Sequence, residues 1–434
     1  MKKNLKLLTI SAACILSLAG LASCGGEKTI PADYDVDLTG YTDYSGTLVY
    51  SGPASQRTWI MGVADNYNRL REEQGLGTIT FEYVDHGEDK VDSEITDWAN
   101  GPDVYAFASD KILPLYQAGA LAPVTGNYEK YIKDTMSEGA LEAATFAGGT
   151  YAYPYAGDNG YFLYYNKSLL TETDIQTIEG IFAKAATNKM KLAYPIQSTP
   201  FYSVGTLFSF GARYELDISE TGTISNVTAD FDSDNGVLGG LALMKIMQDN
   251  ASVWQDTQAA PTGDNGIIAT VDGSWNAASY QEQMGEDYAC AKLPTITVTD
   301  EKGAEHTANL SSFLGYKLYG VNPQRSTGEG ERLMAAHDFA KFLTTPETQE
   351  WRFDNFSIAP TNTTVAALSK VTSNPAVQAI TAQSQYAVAQ TATPANLWTA
   401  PNTLTAAIAE KTVNNIETLK AALKTMNDSI EAVQ

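Results

Sequence analysis

The chain has 434 residues, with 28 lysines and arginines against 51 aspartates and glutamates, and a formal net charge of −23. So acidic a protein repels nucleic-acid phosphates and anionic lipid headgroups, which argues against both as partners. Its three cysteines cannot build a disulfide framework or a Cys-rich metal site, and its length suits two lobes better than one core.

In chain order the first feature is an export signal over 1–23. Lys2, Lys3 and Lys6 precede the apolar run Leu7–Leu21, and small residues follow. The run falls short of the roughly twenty apolar residues that a membrane-spanning helix needs. Leu21-Ala22-Ser23-Cys24 resembles the lipobox of bacterial lipoproteins. That resemblance implies lipidation at Cys24 and a lipid-anchored place on the extracellular face of the cell membrane, with the membrane touched through the anchor only. Cys14 would leave with the signal, so Cys290 is the free thiol expected, and losing three lysines moves the charge to −26. From Gly25 to Ser45 the sequence has no periodicity, and 24–45 is expected to be a tether.

Thr47–Tyr50 reads as a strand, and Trp59, Val63, Tyr67 and Leu70 recur at helical spacing until Gly75-Leu76-Gly77 ends the pattern. Ile79–Val84 is a second strand, so a β-α-β order predicts a parallel sheet with helices on its faces. Further strands are expected at Pro102–Phe107, Tyr161–Tyr165 and Ile267–Val271. Helices are expected at Ile112–Gly119, Gly236–Asp249 and Glu331–Leu343, and a last one carries Ile416, Leu419, Leu423, Met426 and Ile430. His86, His306 and His337 are scattered, which suggests neither a zinc site nor a Ser-His-Asp hydrolase; His337 is expected at the edge of its helix. Asp230–Gly236 lacks the distal Glu of a calcium loop and reads as a helix cap. No phosphate loop occurs, and no catalytic residue, cofactor or metal is expected.

Four spaced segments resemble the extracellular solute-binding proteins of carbohydrate ABC transporters, the group that includes maltodextrin-binding proteins. They are Pro102–Lys111 with the following Leu115–Val124, Tyr153-Pro154 with Gly160–Lys167, Thr270–Trp275, and Pro394–Trp398 ahead of the last helix. The resemblance implies an α/β, two-lobe periplasmic-binding-protein fold of the maltose-binding type (class II), with a ligand cleft between the lobes. Segments 46–156 and 315–357 would form the N-terminal lobe, and 157–314 and 358–434 the C-terminal lobe. Hinge crossings are expected near Tyr155–Gly157, Phe313–Gly315 and Phe356–Ala359. At Tyr194–Tyr202 the sequence departs from the maltodextrin pattern: Ser198 or Thr199 stands where an acid is usual, and Phe201 and Tyr202 follow.

A pyranose presents apolar C–H faces and a rim of hydroxyls, so rings should cover its faces while carboxylates and amides grip its rim. Phe107, Asp110, Lys111, Asp158, Asn159, Tyr161, Tyr202, Trp275 and Trp398 supply that mixture. Phe107 could equally fill the core, Asp110 cap a helix and Asp158-Asn159 form an Asx turn. Trp59, Trp98, Trp254 and Trp351 lie in helical or flanking patterns and are read as packing residues. The expected function is capture of a sugar, such as a maltodextrin, by a monomer that closes on it and delivers it to ABC permease subunits. A surface glycan adhesin, a polyamine-binding protein and a glycoside hydrolase are the alternatives.

Overall fold

The computed structural model describes residues 35–219 and 221–432. The signal segment, Cys24 and the tether as far as residue 34 lie outside the described residues. Residues 35–45, expected as tether, are packed instead. Val36, Leu38 and Tyr41 are buried, and the Arg71 guanidinium donates to the carbonyls of Thr42 and Tyr44 at 2.9 Å each. Three apolar side chains within six residues cover the first helix, and that spacing outweighs the polar residues between them.

One ten-stranded sheet runs through the protein. Its strand order is Trp254–Gln255, Lys191–Ala193, Ile267–Gly273, Tyr153–Asn166, Ser312–Val321, Val104–Ala108, Thr47–Gly52 and Thr80–Asp85. Two short strands pair off this path, Tyr288–Ala291 on Tyr153–Asn166 and Ala387–Ala389 on Ser312–Val321. The sheet is parallel at both ends, as the β-α-β order predicts, but antiparallel through its middle. The reason is connectivity: the strand Tyr153–Asn166 carries the chain across the molecule and Ser312–Val321 carries it back. Their pairing slips on either side of Lys317, where two register shifts occur.

The helix Arg57–Glu73 buries Trp59, Val63, Tyr67 and Leu70, and Gly75 at φ 77° lets the chain turn out of it. Its stripe packs on the helix Gly330–Phe342, with the Tyr67 ring 4.6 Å from Phe342. A second core gathers Leu163, Tyr194 and Ile268 with Leu419, Leu423, Met426 and Ile430 of the last helix, Ile416–Glu431. Trp59, Trp98, Trp254 and Trp351 are all buried. Ser233 caps the helix Asp234–Met244, its hydroxyl accepting from the Gly236 amide at 3.2 Å. His337 is not at an edge. It is buried, with Nδ1 2.8 Å from the Tyr153 hydroxyl, and burial holds its imidazole down to about 4.

Candidate functional site

A cleft of about 620 Å³ opens where the two crossing strands meet. One wall is made of rings. Trp275 follows the strand Ile267–Gly273 in a single turn, and its indole lies back over Gly273, where a Cβ would stand 2.1 Å from the ring. Only glycine admits that placement, and it leaves the indole 38% exposed. Phe201, on the first turn of the helix Pro200–Leu207, lies 6.2 Å from Trp275 and stacks on Phe313 at 5.4 Å. Trp398 completes the wall 5.3 Å from Phe313, and its indole N–H donates to Thr393 Oγ1 at 3.1 Å.

Beneath the rings the Asp272 carboxylate is fully buried and well supplied with donors. The hydroxyls of Tyr202 and Tyr280 donate to it at 2.9 and 2.5 Å, Gln258 Nε2 at 2.7 Å, and Asn276 Nδ2 at 2.9 Å. A buried carboxylate needs such partners. Here they also fix the turn that carries Trp275.

The opposite wall is polar. Lys317 Nζ lies 2.7 Å from Glu88 Oε2 and 5.6 Å from the centre of the Trp275 ring. The Tyr155 hydroxyl donates to the other Glu88 oxygen. Behind this pair the buried Arg352 guanidinium is held between the rings of Trp59 and Tyr155, 4.3 Å from each, and donates to Gln56 Oε1 at 3.1 Å and to the Tyr319 hydroxyl. Further along, Asp110 Oδ1 accepts from Gln390 Nε2 at 2.8 Å, while Lys111 Nζ stands 3.4 Å from Asp92 and 3.9 Å from Asp110. Burial pushes the Asp110 carboxyl up to about 7, against the opposing pull of Lys111.

Of the residues singled out in the sequence, Asp110, Lys111, Asn159, Tyr202, Trp275 and Trp398 line the cleft. Phe107, Asp158 and Tyr161 are buried behind it. Phe107 packs 5.8 Å from Tyr105 in the core under the sheet. Asp158 is within the strand rather than in an Asx turn. Its carboxylate accepts from the Ala359 amide at 2.9 Å and is pushed up to about 6 by burial. Tyr161 lies under Phe201 and Tyr202, with ring centres 5.1 and 4.7 Å away. Glu88, Gln258, Lys317 and Gln390 line the cleft without any motif to announce them. Lys317 had one sequence signal, a lone charge inside the apolar strand Ser312–Val321.

The profile of bacterial extracellular solute-binding proteins matches residues 63–379. The chain belongs to that family. Its fold is the two-lobe, maltose-binding-protein-like one. The maltodextrin binding protein MalE1 from L. casei BL23, solved without ligand, superposes with a TM-score of 0.72 at 23% identity, over 90% of this chain and all of that one. A cyclo/maltodextrin-binding protein complexed with maltotetraose gives 0.67 at 19%, over 92% and 100%. The GacH receptor of Streptomyces glaucescens GLA.O, solved unliganded and with acarbose, gives 0.71 at 18%, over 90% and 100%. No curated protein matches by sequence. The family and these neighbours are binding proteins rather than enzymes. Among the described residues, no helix of this solute-binding protein is long and apolar enough to cross a membrane.

Proposed function

We propose that this solute-binding protein captures a sugar, an oligosaccharide of the maltodextrin kind, between its lobes and hands it to an ABC importer. The reading rests above all on a cleft lined by the Trp275 and Trp398 indoles and the Phe201 ring together with carboxylates and amides. Rings of this kind suit the C–H faces of a pyranose, and charge-assisted acceptors suit its hydroxyls. The ligands bound by two structural neighbours, maltotetraose and acarbose, point the same way.

In this reading 46–156 with 315–357, and 157–314 with 358–434, are the bodies that close, and the crossings near Tyr155–Gly157, Phe313–Gly315 and Phe356–Ala359 are the hinges. Because contacts come from both sides, the ligand favours the closed form by differential affinity. The lipobox at Cys24 supports an anchored protein that works beside permease subunits at the extracellular face of the membrane. Calorimetric titration of the purified protein with glucose, maltose, maltodextrins, xylo-oligosaccharides and spermidine tests the proposal. Saturable binding of one sugar series is expected. Binding of spermidine alone, or of nothing, would contradict it.

A further inference from the structure

A second chamber of about 520 Å³ adjoins the cleft. The same two segments wall both spaces: Asp110, Lys111 and Gln390 face the cleft, while Ser109, Ile112, Thr391 and Ala392 face the second chamber. The far side of that chamber carries Phe146 and Tyr214 with Glu142 and Glu215, again rings and carboxylates. At this junction the Gln390 side chain faces the cleft, and the two residues after it, Thr391 and Ala392, face the second chamber. Gln390 is buried, its Nε2 donates to Asp110 Oδ1 at 2.8 Å, and its Oε1 accepts from Asn159 Nδ2 at 2.8 Å.

Its backbone is pinned as well. The Gln390 carbonyl accepts from Ser109 Oγ at 2.6 Å and its amide donates to the Leu314 carbonyl at 2.9 Å. Gly315 makes room for it, since a Cβ there would stand 2.9 Å from both Gln390 Cβ and Ser109 Oγ. Every polar atom of the amide that reaches across is therefore engaged. Such a bridge is costly to displace, because Asp110 Oδ1 would lose its donor and Asn159 Nδ2 its acceptor.

We propose that Gln390 is the specificity-determining end wall of the cleft: the bridge from Asp110 through Gln390 to Asn159 stops an oligosaccharide at one end, and the chamber behind it is an extension subsite that the native protein keeps shut. The inference rests on the sugar reading of the cleft. It makes chain length, rather than ring chemistry, the property that this residue selects.

The test is calorimetric titration of the native protein and of Gln390→Ala with maltose, maltotriose, maltotetraose and maltoheptaose, with thermal melting as a folding control. For the native protein affinity should level off once the cleft is filled. In Gln390→Ala the affinity for maltoheptaose relative to maltose should rise about tenfold or more. Adding Ala392→Trp, which fills the second chamber, should abolish that gain. A length profile identical in native protein and variant overturns the wall.

A measurement on the native protein decides even if Gln390→Ala does not fold. Maltotriose blocked by a bulky group at one end should lose about a hundredfold in affinity, and maltotriose blocked at the other end should bind nearly unchanged. Equal tolerance at both ends overturns the wall. Failure of the native protein to bind any unblocked maltodextrin overturns the sugar reading itself, and this inference with it.

Discussion

The two walls of the cleft are built in opposite ways. Phe201, Phe313 and Trp398 lean on one another and on the turn that holds Trp275, so the ring wall stands ready with a face open to solvent. The polar wall has already spent its hydrogen bonds internally, Glu88 on Lys317 and Tyr155, and Asp110 on Gln390. A ligand can therefore add itself to the rings with little rearrangement, whereas on the polar side it must exchange partners. The ring wall should govern affinity, and the polar wall should govern stability and selectivity.

Lys317→Met attacks that division most strongly. It leaves the Glu88 carboxylate in a site where both partners are nine-tenths buried, and removing one member of such a pair costs about 3–5 kcal/mol. Denaturant unfolding should show that loss, and Lys317→Met combined with Glu88→Gln should recover much of it. Equal stability of the single variant and the native protein would mean that the pair is solvated.

Trp275→Ala probes the other wall. Its indole is half-exposed, so the melting temperature should barely change, while sugar affinity falls on the order of a hundredfold, as for a ring at the centre of a binding surface. A large drop in melting temperature without loss of affinity would reverse the roles assigned to the two walls.

Asp110→Asn sharpens the comparison through pH. The Asp110 carboxyl is raised from 3.8 to about 7 by burial, so the fold prefers its protonated form. Its contribution to stability is full below about 3.8 and is lost as pH rises through about 7. Asparagine keeps an acceptor for Gln390 without the charge. The melting temperature of the variant should match the native one near pH 4 and exceed it increasingly towards pH 8, so a constant gap across that range would contradict the assignment. Asp158 and His337 titrate in both proteins and cancel from the difference.

The smallest effect serves as a control. Lys424 pairs with Asp428 on the exposed side of the last helix, at 2.8 Å with both side chains more than half accessible. Lys424→Ala should leave the denaturant midpoint nearly unchanged, against a clear fall for Lys317→Met. Comparable losses would show that burial is not what separates the two pairs.

These contrasts also explain how much could be read from the sequence. Trp275 and Trp398 were legible because a glycine or prolines close by in the chain mark each tryptophan as lying in a turn between regular elements, where a large ring can reach a cleft. The apolar stripes at Trp59–Leu70 and Ile416–Ile430 were legible because helical spacing is a local property. Asp158 was not, because neighbouring residues of a strand face opposite ways and spacing does not say which face is the cleft. Asn159 faces it and Asp158 is turned to the Ala359 amide. Tyr161 shares the parity of Asn159, but Phe201 lies over it, a contact across forty residues that no local pattern encodes. Glu88 and Gln390 matter only through partners distant in the chain, Lys317 for the first and Asp110 for the second. The antiparallel centre of the sheet likewise follows from two crossings more than a hundred residues apart rather than from the order of nearby elements.

The most direct test of the two-wall account is intrinsic tryptophan fluorescence of the native protein titrated with maltotriose, alongside Trp275→Phe. The account predicts a saturable change in the native protein that is largely lost in the variant, while the variant still binds by calorimetry because a ring remains at the site. A native response that survives the substitution in full would place the sugar away from Trp275 and contradict the account.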